Sequence, residues 1–223
     1  MDAKLLGRAM AKFLAGVLLL GLLLFLPAGT LNWSQAWLLM AILFIPMFIA
    51  GLVMLHRSPD LLRKRLNASE EQGEQRQVIL LSGIMFLAAF VAAGLNRRFR
   101  WIVLPEAVSW IAAGIFLLGY LLYARVLQEN AWLSRTVEVQ ENQRVVDTGL
   151  YGVVRHPMYM STLLLFLSMP LVLGSAISFV IMLAYIPIIA RRIRNEEQVL
   201  VEGLAGYAEY RTRVRWKVIP FIW

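Results

Sequence analysis

The chain has 223 residues, 60% of them hydrophobic and only 16% charged, with a mean hydropathy of +0.67; soluble domains carry about 25% charged residues. That balance excludes an ordinary water-soluble globule and requires lipid as part of the solvent. The absence of cysteine excludes disulfides, thiolate metal sites and thiol nucleophiles, and the net charge of +8 sits on residues flanking apolar runs, which suits anionic headgroups better than nucleic acid.

A hydrocarbon core about 30 Å thick needs about 20 mainly apolar residues in helix, which makes the expected fold all-α and polytopic. Lys4, Arg8 and Lys12 precede an apolar run from Phe13 to Leu26. The polarity is that of a signal peptide, but no small-x-small cleavage site follows before Trp33, so a retained span is expected over about residues 10 to 29. Further spans are expected at about 35 to 55, 77 to 95 and 103 to 127. Between the second and third, Leu61, Leu62 and Leu66 stand against Arg63, Lys64 and Arg65, the pattern of an interfacial amphipathic turn.

The segment from 128 to 156 is β-branched around Thr136 to Val139 and Val145 to Val146, with Gly149 following, so it is expected to be extended or turning. Proline favours the first helical position and pushes its predecessor into extended geometry, which predicts a helix starting at Pro157 with His156 at its mouth. The apolar stretch 157 to 190 is too long for one span and contains Pro170 and Gly174. Two helices joined by a tight turn are expected, six candidate spans in all, the second arm of this hairpin being shorter than a full span. Beyond it lie Arg191, Arg192, Arg194, Glu196 and Glu197, then Gly203, Gly206, Tyr207 and Tyr210, a basic tract to Lys217, and an apolar end, Ile219 to Trp223, expected to fold back onto the membrane surface.

With six spans and the N-terminus inside, 19 of the 22 basic residues fall on inner segments and only Arg97, Arg98 and Arg100 fall outside. The positive-inside rule then puts both termini in the cytoplasm, with the polar segments 56 to 76, 128 to 156 and 191 to 223 on that side of a plasma (inner) or endoplasmic reticulum membrane.

Gly149, Tyr151, Arg155, His156, Pro157 and Tyr159, followed some forty residues on by Glu196, Glu197, Tyr207 and Tyr210, make a two-part pattern. The stretches VVDTGLYGVVRHPMY at 145 to 159, EEQVL at 196 to 200 and GYAEYRTRV at 206 to 214 resemble the isoprenylcysteine carboxyl methyltransferase family, whose core the phospholipid N-methyltransferases share. The resemblance runs from about residue 103 to the end and divides the chain into N-terminal membrane helices, 1 to 102, and a methyltransferase core, 103 to 223. It implies a membrane-embedded methyltransferase that holds S-adenosylmethionine in a cytoplasm-facing pocket. Its cofactor contacts fall on Gln143, Arg144, Val145, Val146, Gly149, Tyr151, His156, Tyr159 and Glu196, and its substrate-orienting arginine on Arg192, with Arg191 or Arg194 as alternatives. No Gly-rich strand-to-helix turn is present, so the pocket is not a Rossmann crevice.

The chemistry is consistent with those residue types. A sulfonium cation, a zwitterionic head and a ribose call for a carboxylate, hydrogen-bond donors and an aromatic wall, which Glu196, His156 and Tyr151 supply, while the helix mouth at Pro157 suits a carboxylate. A carboxylate nucleophile needs only placement, which Arg192 can give by a bidentate contact; an amine must first lose a proton, to Glu196, Glu197 or His156. Each residue alone has a plainer reading. Arg192 and Glu196 are four apart on one helix and can form a surface pair worth about 0.2–0.5 kcal/mol, arginines at a span's end snorkel, and tyrosines populate interfacial belts. Only the gathering of polar groups on two segments flanking one hairpin favours an enzyme. The acceptor is expected to be lipophilic: a prenylated cysteine carboxylate, a lipid amine or an amphiphilic acid. A transporter or scaffold is the non-enzymatic alternative, disfavoured because the first four spans hold no acidic residue beyond Glu106, near an end.

Overall fold

A computed structural model describes residues 3 to 66, 73 to 130, 132 to 133 and 139 to 223. The described chain is helical: α1 (Ala3–Ala28), α2 (Ser34–Arg57), α3 (Pro59–Leu66), α4 (Gly73–Phe99), α5 (Glu106–Glu129), a single 3-10 turn (Gly149–Gly152), α6 (Pro157–Val172), α7 (Ala176–Met182), α8 (Tyr185–Gly203) and α9 (Tyr207–Arg213). Five segments are long and apolar enough to cross a membrane: Lys4–Ala28, Ser34–Arg57, Arg76–Phe99, Glu106–Glu129 and Ala176–Gly203. Their outward faces are leucine-rich, with Leu18, Leu22, Leu26 and Leu121 all more than 60% exposed. So large an apolar surface is stable only against lipid.

The terminal hairpin differs from the expectation. Its turn lies where Pro170 and Gly174 predict it, with Ser175 N–H donating to the Pro170 carbonyl at 2.9 Å. The shorter arm, however, is the first. Because Pro157 starts α6 and the turn ends it 16 residues later, that helix is only about 24 Å long, less than the hydrocarbon thickness. The second arm runs from Ala176 to Gly203 and is interrupted at Leu183 and Ala184, between α7 and α8. The expected six spans are therefore five and one shorter helix.

One apolar core joins both halves of the chain: Leu24, Trp33 and Leu39 pack with Ala93, Phe116, Leu165 and Val172. Helices α5 and α6 pack tightly at Gly119, where any Cβ would stand 2.9 Å from Leu165 Cγ, so glycine is required there for steric reasons. A second cluster ties Met85 and Ala89 of α4 to Tyr159, Leu163, Tyr185, Ile189 and Ile193, fixing α6 against α8.

The two ends of the bundle differ. At one end Leu62 of α3 packs on Leu5 and Leu55, so the amphipathic segment is a short helix held to α1 and α2; the ends of α5 and α8 lie at this end too. At the other end Arg97 Nη2 donates to the Asn32 carbonyl at 3.1 Å, the Asn96 amide holds Ile102 at both backbone groups (2.9 and 3.0 Å), and Leu104 N–H reaches the Gly174 carbonyl at 3.0 Å. The chain end forms a local turn: Val218 and Ile219 N–H both donate to the Trp223 carbonyl, leaving Phe221 and Ile222 exposed at its tip. Of the β-branched run at 136 to 139, residues 136 to 138 lie outside the described residues, as do Arg135 and the side chains of Leu61, Lys64 and Arg65.

Candidate active site

Pro157 opens α6, and His156 sits at its N-cap position with extended φ of −126°, as the proline restriction predicts. The strand-like approach to that helix is clamped by the chain's last segment. Arg155 N–H donates to the Trp216 carbonyl at 2.9 Å and His156 N–H to the Lys217 carbonyl at 2.8 Å. The Arg155 guanidinium reaches the carbonyls of Val214 and Arg215 at 2.7 and 2.9 Å and the Glu197 carboxylate at 2.7 Å. Glu197 is also approached by His156 Nε2 at 3.2 Å and Lys217 Nζ at 3.4 Å. Arg155, His156 and Glu197 are all buried. Buried charges need this degree of compensation, and the result is a knot joining the mouth of α6, the middle of α8 and the tail.

One residue earlier on α8, Glu196 faces the other way, into a cavity. There its carboxylate accepts the Tyr159 hydroxyl, which also accepts from Arg192 Nε at 3.0 Å. The i, i+4 pair of α8 is thus bridged by a tyrosine from α6 and is not a bare surface pair. His156 stands between the two glutamates, its Nδ1 3.8 Å from Glu196 Oε1. A proton on Nε2 satisfies Glu197, which leaves Nδ1 facing the cavity as an acceptor unless the ring is charged. Arg191 and Arg194 are exposed and do not line the cavity, whereas Arg192 does.

The opposite wall comes from the loop before α6. Gln143, Arg144, Val145, Val146 and Tyr151 line the same cavity as His156, Tyr159, Arg192 and Glu196. Gly149 is not among the residues that line it, and the structure gives it a conformational role. With φ of +58°, a Cβ there would collide with the Glu129 carboxylate, which accepts Leu150 N–H at 2.8 Å. Glycine lets the loop close on the end of α5. Tyr151, on the 3-10 turn, accepts from the Asn130 amide at 2.9 Å, and its own carbonyl accepts the Tyr210 hydroxyl at 2.8 Å. Burial pushes the Tyr151 hydroxyl up to about 12, so it stays protonated and able to donate.

Several lining residues escaped the sequence reading, among them Asn130, Trp132, Met158, Leu200 and Leu204. Apolar liners carry no signal that separates them from core. Tyr207 does carry one. Its hydroxyl is buried without a hydrogen-bond partner, one of two such side-chain atoms among the described residues, and it lines the cavity. Burial, then the Glu197 and Glu196 carboxylates, raise its pKa, so it is a donor waiting for an acceptor. Such orphans are rare in folded proteins.

Residues 110–202 match the Isoprenylcysteine carboxyl methyltransferase (ICMT) family. Among curated proteins, the Cobalt-zinc-cadmium resistance protein CzcN of Cupriavidus metallidurans is 27% identical over 106 residues, 47% of this chain and 49% of that protein. The Delta(14)-sterol reductase TM7SF2 of Mus musculus is 28% identical over 91 residues, 40% of this chain and 22% of that one. The match thus spans about half of the first relative's length and less of the second's. Among solved structures, the eukaryotic intramembrane Ras methyltransferase ICMT superposes with a TM-score of 0.58 at 20% identity, covering 92% of this chain and 74% of that one. That likeness establishes a shared polytopic helical fold.

Proposed function

We propose, from the match of residues 110–202 to the isoprenylcysteine carboxyl methyltransferase family, that the chain transfers a methyl group from S-adenosylmethionine to the carboxylate of a lipophilic acceptor at the cytoplasmic membrane surface. The observation that carries this reading is the cavity in which Tyr159, Arg192 and Glu196 meet His156, Tyr151 and the unpartnered Tyr207 hydroxyl. These residues fit the cofactor: the buried Tyr207 hydroxyl needs an acceptor, Glu196 is an anion, and the tyrosines and His156 offer flat faces. Gln143, Arg144, Val145, Val146, Tyr151, His156, Tyr159, Glu196 and Tyr207 would hold it.

When bound, S-adenosylmethionine supplies a methyl group on a sulfonium for in-line displacement. The protein's task is then positioning and exclusion of water. Arg192, whose Nε donates to the Tyr159 hydroxyl, orients the acceptor carboxylate with its guanidinium. Glu196 favours positive charge in the cavity, and Tyr159 bridges it to Arg192. The positive-inside count supports the cytoplasmic placement. A prenylated cysteine, the acceptor class of the family's name, suits a site beside lipid-facing helices.

Incubation of purified protein with methyl-labelled S-adenosylmethionine and membrane extract tests this directly. A base-labile labelled product is expected, since esters hydrolyse in base. A base-stable product would replace carboxyl with nitrogen methylation. No cofactor binding by calorimetry up to millimolar concentration would defeat the enzyme reading.

A further inference from the structure

The end of the bundle opposite the cavity has an apolar groove and a cluster of arginines that methyl transfer does not use. The groove, about 690 Å³, runs along α1 and α2 from Val17 to Gly29 and is walled by Leu18, Leu22, Leu26, Leu31, Trp37 and Met40. Val17 and Gly29 are about 18 Å apart along the helix, slightly more than half of a hydrocarbon core of about 30 Å. The groove is therefore one leaflet deep.

Its outer end is not apolar. Gly29 and Thr30 line it there, and the exposed Arg98 of α4 lays its guanidinium over Gly29, with Nε and Cζ 3.7 Å from where a Cβ would stand. Arg100, two positions on in the chain, is exposed too, and Arg97 is held to the Asn32 carbonyl. These are the three arginines that violate the positive-inside count. A lipid-facing trough alone accepts any acyl chain; one that ends at guanidinium groups selects for an anionic phosphate at headgroup depth.

We propose that this groove binds one anionic phospholipid of the leaflet opposite the candidate active site, its acyl chain along α1 and α2 and its phosphate on Arg98 and Arg100. The charge of these arginines is then matched by a ligand, which accounts for their place on a face that otherwise lacks basic residues.

Native mass spectrometry of the full chain in detergent, titrated with phosphatidylglycerol and phosphatidylcholine of identical acyl chains, tests the proposal. One equivalent of phosphatidylglycerol should be retained about tenfold more tightly than phosphatidylcholine, the ratio expected of one charge-assisted contact. Arg98→Gln with Arg100→Gln should remove that one equivalent, and Leu22→Trp, which fills the groove, should weaken both lipids. Glycerol phosphate, which has the head without the chain, should not be retained. Equal retention of the two lipids, an unchanged count in the double variant, or tight binding of glycerol phosphate would each overturn it. Both arginines are exposed, so the double variant is expected to melt with the unaltered protein, and a lowered melting temperature without a lipid effect also counts against the site.

Discussion

Glu196 and Glu197 are adjacent in α8, yet they belong to regions of opposite character. Glu197 lies inside a knot where Arg155, His156, Lys217 and two tail carbonyls consume its charge and that of its partner. Glu196 lies at a cavity wall, where Tyr159, itself bonded to Arg192, holds it without burying it. The lesson is that charge in this protein divides between structure and chemistry one residue at a time, because consecutive positions on a helix point about 100° apart.

If that division is right, breaking the knot should cost most. Arg155→Ala or Glu197→Ala leaves an uncompensated buried charge, for which about 3–5 kcal/mol is typical, and thermal unfolding in detergent should show a large drop in melting temperature. A variant of either residue that melts like the parent would erase the distinction. Arg192→Ala should leave melting and cofactor affinity nearly unchanged while turnover falls about a hundredfold, the scale of a misplaced reactant; steady-state kinetics beside calorimetry separate the two. Glu196→Gln keeps the shape and removes the charge, so cofactor affinity should fall by about tenfold or more, as for hydrogen bonds to charged groups, with little change in melting. Loss of folding in this variant instead would assign Glu196 to the knot. The smallest effect belongs to Tyr207→Phe. It should weaken the cofactor by about 0.5–1.5 kcal/mol and leave the apo protein as stable or slightly more so, since a buried hydroxyl without a partner is removed; a destabilised apo variant would mean the hydroxyl has a structural partner.

Much of this was legible in the chain. Apolar windows marked the first four spans, Pro157 placed the start of α6 and His156 at its mouth, and the two-part pattern drew together nine of the ten predicted site residues that now line one cavity. The exception, Gly149, sits within the motif, and what the structure shows for it is backbone geometry against Glu129. Asn130 escaped, and Tyr207 stood in the pattern without an assigned role, because their roles depend on a partner or its absence, which sequence spacing does not encode.

Hydrophobicity, the absence of cysteine and the sidedness of the basic residues are properties of the chain itself, and they sufficed for a polytopic helical protein with its polar segments at one end. Which of two neighbouring glutamates faces the cavity, which of three arginines meets Tyr159, and which arm of the hairpin is short were decided only by packing. Each depends on where α6, α8 and the tail come to rest against one another, and those contacts join residues some thirty to sixty positions apart in the chain.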